Sequence, residues 1–206
     1  MFEMIRAGGW LMLPLLLCSV IAFAIICERF WALQRKKIAP KNLVGQIWQW
    51  YKNKTLDNQH IEALRKSSPL GVILAAGLLN RHHPREIMKQ SVEETGRQVV
   101  PELDRFLNTL GTIASITPLL GLLGTVIGMI KVFAAITTQG VGNPTVLAGG
   151  ISEALITTAT GLTVAIPSLI FYRYFKGKVD ELVITMEEEA LKIVDVMHGD
   201  REKEKK

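Results

Sequence analysis

The sequence predicts an all-α integral membrane protein with three transmembrane helices, the second and third extending as long helices into a cytoplasmic helical bundle. Three observations predict it. Between Arg105 and Arg173 lie 67 residues, of which only Lys131 and Glu153 are charged. A second uncharged run extends from Ala7 to Cys27. No run in residues 28–105 alternates polar and apolar residues as a half-buried strand does. A bilayer core is about 30 Å thick and takes about 20 apolar helical residues. No ordinary soluble fold needs stretches so poor in charge. The 206 residues are 49% hydrophobic and include two cysteines, which excludes a disordered chain, a collagen and a disulfide scaffold.

Residues 1–9 are a short outer N-terminus, and residues 10–27 (WLMLPLLLCSVIAFAIIC) the first span. Ala22-Phe23-Ala24 resembles a signal-peptide cleavage site. However, Arg6 is offset by Glu3, while Arg29, Arg35, Lys36 and Lys37 follow the apolar run. That is a stop-transfer pattern. Cys18 and Cys27 lie about 13 Å apart on opposite faces of this helix and serve as small apolar fillers.

Residues 28–105 read as a cytoplasmic helical region. The first helix should continue through Glu28–Lys37 to Pro40. The next should gather Val44, Ile47, Trp48 and Tyr51 on one face. Asp57 caps a short helix ending at Lys66. Ser68-Pro69 supplies a cap and a first-turn proline for the apolar run Leu70–Leu79, too short to span. His83-Pro84 opens a helix expected to run unbroken to Ile136, about 80 Å, kinked at Pro101 and Pro118.

The second span covers residues 106–136 and the third residues 145–175. The link, residues 137–144, is rich in turn formers, so these two spans are antiparallel neighbours. Residues 176–206 form a cytoplasmic helix and a charged, disordered tail from Arg201. In that helix Val179, Leu182, Met186, Ala190, Ile193 and Met197 recur at gaps of three and four, a coiled-coil-like seam, with Gly199 as a stop. The seam suits packing either against the chain's own helices or between subunits.

Charge sets the orientation. Of 24 Lys and Arg, 14 lie in residues 28–105 and 8 in 173–206. Basic residues near span ends stay in the cytoplasm, which puts the N-terminus and the 137–144 link outside and the C-terminus inside. The net charge of +5 is therefore a sidedness label. It does not mark a nucleic-acid surface. His60, His82, His83 and His198 form no metal-ligand pattern, and neither metal nor cofactor is expected.

Glu153 is the one acid within a span. A charge at a span centre costs on the order of 3 kcal/mol. Such residues face a bundle interior or a water cavity and commonly carry ions or protons. The alternative is that Glu153 snorkels at the outer interface. On a helical wheel Thr157, Thr160, Gly161 and Val164 share its face, with Thr158 at the edge. The second span offers Ser115 and the motif Gly121-x-x-Gly124-Thr125-x-x-Gly128, in which Gly124 and Gly128 permit close helix contact. Thr157, Thr160 and Ser115 are candidate pore-lining hydroxyls. Gly121, Gly124, Gly128 and Gly161 are candidate packing residues. Lys131, about 39 Å from Arg105, is expected to snorkel at the outer surface.

Three helices with one acid have little room for a water path, so self-association or a partner helix is inferred. An intramembrane protease fails on inventory. An aspartyl type needs two carboxylates in the membrane. A serine type using Ser115, Ser152 or Ser168 lacks a histidine in any span. An enzyme is not expected.

The segments FLNTLGTIASITPLLGLLGTVIGMIKVF (Phe106–Phe133) and LAGGISEALITTATGLTVAIPSLIFYRYF (Leu147–Phe175) resemble the MotA/TolQ/ExbB proton-channel family, most closely its ExbB/TolQ branch. The resemblance is specific in the last two spans and architectural in residues 28–100. It implies a homopentamer in the bacterial inner membrane. That ring surrounds the single span of an ExbD- or TolR-like partner carrying a membrane aspartate, and protons are the coupling ion. The motor so formed drives a TonB- or TolA-like protein. By position the resemblance assigns the proton-carrying role to Glu153, with Thr125 and Thr158. The TTATGLTVAIPSLIFYRYF ending and the VDELV continuation are more ExbB-like than TolQ-like. A membrane scaffold that does not conduct is the rival reading. It would tolerate Glu153→Gln and fail on bulky changes at Gly124 or Gly128.

Overall fold

The computed structural model describes residues 8–139 and 144–197. His198, Gly199, the charged tail and the centre of the link lie outside the described residues. Among those described, every regular element is helical: α1 (Met12–Ala32), α2 (Arg35–Ile38), α3 (Leu43–Lys52), α4 (Asn58–Ser67), α5 (Pro69–Leu79), α6 (Arg85–Leu103), α7 (Leu107–Gln139) and α8 (Pro144–Met197). Helices α1, α7 and α8 are long and apolar enough to cross a membrane. The chain divides into two compact units, residues 1–28 with 106–174, and residues 29–105 with 175–206.

In the first unit, α7 and the first part of α8 pack along small residues. A β-carbon at Gly161 would lie 2.6 Å from the Thr117 carbonyl oxygen. One at Gly128 would lie 2.8 Å from both the Ala154 β-carbon and the Gly150 carbonyl oxygen. Only glycine permits such an approach, and it brings the two backbones together for dispersion contact where lipid offers no hydrophobic drive. Pro118 and Pro167 lie inside these helices, which packed membrane helices tolerate. Between α1 and α8 runs an apolar groove of about 580 Å³, with Leu15, Leu16, Leu155 and Ala159 in its walls.

The second unit is built like a soluble bundle. Ser68 accepts a hydrogen bond from the Gly71 amide at 3.1 Å, with Pro69 in the first turn, so α5 starts as the sequence predicts. Leu70, Ile73, Leu74 and Leu78 are buried, and α5 packs against α4 and α6. Asp57 caps α4 by accepting from the Asn58 amide at 2.6 Å. Most of the α8 seam is consumed within the chain: Val179, Leu182, Met186, Ala190 and Ile193 are all buried, and Met197 is half-buried. Of the two readings of that seam, packing against the chain's own helices holds.

Four local expectations are corrected. The first helix does not continue to Pro40. It ends at Ala32 and a separate turn of helix follows at Arg35–Ile38. Helix α3 buries Leu43 and Ile47, while Trp48 and Tyr51 are exposed. Trp50 turns instead to His60, ring centroids 4.6 Å apart. Pro84 precedes the first turn of α6 and does not occupy it. The helix expected from Pro84 to Ile136 is two helices, broken over residues 104–106, with Phe106 at φ +62°. Long-range partners hold the end of α6. The buried Arg29 guanidinium donates to the Leu103 carbonyl at 3.0 Å, and Lys176 pairs with Asp104 at 2.7 Å.

Candidate functional site

Helices α7 and α8 bring together the two charges that the sequence holds 22 residues apart. Lys131 Nζ donates to both oxygens of Glu153, at 2.6 Å to Oε1 and 2.8 Å to Oε2. The Glu153 side chain is 18% exposed and that of Lys131 51%. The pair sits near the linked ends of the two helices. Lys131 is eight residues before the end of α7, and Glu153 nine after the start of α8, so each stands roughly 12–14 Å from the link along its helix. Lys131, which the sequence led one to expect snorkelling at the outer surface, has a partner that the sequence did not reveal. It is the counter-charge of Glu153.

A third element closes on the acid. Gly9, just before α1, has φ +68°, and a β-carbon there would overlap Glu153 Oε1. The left-handed backbone and the missing side chain both favour glycine. Sequence reasoning passed over Gly9 because a glycine ahead of an apolar run has ordinary turn readings. It passed over the ion pair because each charge was placed by its own helix. Counting outward from the link on both helices would have found it.

The hydroxyls divide among different surroundings. Thr157 is fully buried and donates to the carbonyls of Glu153 at 3.0 Å and Ala154 at 2.9 Å. It fills the space that a side chain at Gly124 would need. Thr158 reaches across to α7 and donates to the Gly121 carbonyl at 2.9 Å. Thr125 donates to its own helix at the Leu122 carbonyl, 2.6 Å away. Ser115 does the same at Gly111 and is exposed. Thr160 donates to the Ile156 carbonyl and lines the groove beside α1. The structure therefore joins Thr157 and Thr158 to the α7–α8 contact. Thr125, Thr160 and Ser115 stand on other faces. Gly121, Gly124, Gly128 and Gly161 are all packing residues of this contact.

No group of three or more potential metal ligands occurs among the described residues. What the site offers chemically is one carboxylate, one ammonium and a set of hydroxyls within a helix pair of membrane length. Those are the parts of a proton or cation relay.

An all-helical membrane protein whose central helix pair carries a single acid–base pair is the class that fold and site define. Residues 65–188 match the MotA/TolQ/ExbB proton channel family, and the chain belongs to that family. Among similar proteins, the ExbB-like 1 protein of Synechocystis is 36% identical over 169 residues, covering 81% of this chain and 66% of that protein. The ExbB-like 3 protein of the same organism is 32% identical, covering 83% and 82%. Biopolymer transport protein exbB1 of Vibrio cholerae is 30% identical, covering 78% and 72%. The chain thus spans about two thirds of the first of these and more of the other two.

Proposed function

We propose that the chain is the proton-channel subunit of an ExbB-type energy-transducing complex in the inner membrane. The N-terminus is periplasmic and the C-terminus cytoplasmic. Glu153 binds and releases the proton, and Thr125 and Thr158 supply hydroxyls to its path. The observation that carries this reading is the placement of Glu153. The only acid between residues 106 and 172 is four-fifths enclosed, beside a helix contact made of glycine and threonine. Membership of a proton-channel family supports it, as does the ExbB designation of the relatives.

Three spans with one acid leave little room for a water path within one chain, which supports assembly into a ring. We take that ring to be a pentamer around the single span of an ExbD-like partner. Proton passage, with an electrical component of about 2.3 kcal/mol per charge per 100 mV, moves that partner and drives a TonB-like protein. The relatives' names favour this over a TolQ-type role. The reading includes no catalytic activity and no cofactor beyond the proton.

The test is complementation of energised uptake in a strain lacking its own subunit. Glu153→Gln keeps side-chain size and removes titration. It is expected to abolish uptake while the complex still co-purifies with a small single-span protein. Full uptake by that variant would reject the reading and favour a scaffold.

A further inference from the structure

Resting on the reading of Glu153 as the proton carrier, we propose that Lys131 is a positioning residue that latches it. With the pair closed, the ammonium contacts both carboxylate oxygens and favours their charged form, so Glu153 takes up a proton readily only as Lys131 swings away.

Four observations carry this. The contact is bidentate, 2.6 and 2.8 Å, so neither oxygen is left free of the ammonium. Within α7 and the membrane part of α8 neither has another partner to choose: Lys131 and Glu153 are the only charged residues between 106 and 172. The two halves are unequally held. Glu153 is 18% exposed and bounded by Gly9, whereas Lys131 is half exposed on its flexible four-carbon stem. The lysine is therefore the half free to move. Finally, the backbone beneath is closely packed. Gly128 abuts Ala154 and the Gly150 carbonyl, which fixes the height of Lys131 relative to Glu153. The helices need not separate for the latch to open; a rotamer change of Lys131 suffices.

The sequence of events conserves charge simply. No proton passes through Lys131. Its ammonium leaves the carboxylate, a proton from one side of the membrane binds a carboxylate oxygen, and on release to the other side the carboxylate regains the ammonium. Each transported proton thus passes through one opening and one closing of the pair.

Dicyclohexylcarbodiimide tests the latch separately from transport, because this apolar reagent modifies only carboxyls that have taken a proton. The purified assembled complex is treated at fixed pH, and labelling of Glu153 is followed by peptide mass spectrometry. Lys131→Met is expected to label about fivefold faster than the native chain. Lys131→Arg, which keeps the charge, is expected to stay near the native rate. Lys131→Gln, polar but uncharged, stands in if the methionine variant does not assemble, and it should label fast as well. Native-rate labelling in the assembled uncharged variants would overturn the latch. That outcome would leave the carrier role of Glu153 standing. Loss of that role would instead show as full uptake by Glu153→Gln, whatever the labelling rates.

Discussion

The helix contact around Glu153 and the core of the second unit bury their residues by different rules. Around Glu153 the small residues are inside: Gly121, Gly124, Gly128, Ala154, Thr157 and Gly161 are buried. Leu119, Leu122, Ile130, Phe133, Leu155 and Ile166 are exposed. In the other unit the large residues are inside, with Ile73, Leu74, Leu78, Met88, Leu182 and Met186 buried. Helix α8 obeys both rules in turn. Before Phe175 it buries Gly161 and Ala165, and after it Val179, Leu182 and Met186. The difference is the one expected between a helix contact in lipid and a core in water. Water expels large apolar side chains into a core. Lipid does not, so helices there associate through close fit and hydrogen bonds.

The comparison makes graded predictions. The largest effect should come from the water-solvated core. Leu78→Ala is expected to destabilise by about 3 kcal/mol, seen as a lower midpoint in denaturant titration of the detergent-solubilised protein. Leu122→Ala, equally apolar but lipid-facing, should move that midpoint hardly at all. Equal losses would break the contrast between the units. Next comes overpacking of the small-residue contact. Gly161→Val must displace the Thr117 backbone and should cost about 2 kcal/mol, whereas Gly149→Ala, with open space around it, should be silent. Thermal aggregation curves in mild detergent distinguish the two. The smallest effect is expected for Thr158→Val, which removes the hydroxyl bond to the Gly121 carbonyl. Membrane hydrogen bonds of this kind are worth about 0.6 kcal/mol, so the same thermal curve should shift only slightly.

Much of this was legible in the sequence because charge depletion, caps and periodicity are local signals. Ser68-Pro69, Asp57 and the Val179–Ile193 seam each act over a turn or two, and each appears where it was expected. The break at residues 104–106 was not legible. No glycine marks it, and the residue in left-handed backbone is Phe106. What holds it is Arg29, 74 residues away from its acceptor Leu103. Of the candidate site, Glu153 stood out because a lone acid in an apolar span is costly. Its partner did not, because the pairing depends on the register between two helices. The faces of Thr157 and Thr158 were blurred for the same reason. A wheel drawn about Glu153 places hydroxyls around one helix and says nothing of where the second helix lies.

Glu153 is the proton carrier on which the proposed function depends. The direct measurement is proton flux into liposomes holding the complex with its single-span partner, under an imposed membrane potential and read by an entrapped pH dye. Glu153→Gln is expected to reduce flux to that of protein-free liposomes, while Gly149→Ala conducts as the native complex does. Undiminished flux through assembled Glu153→Gln complexes would contradict it.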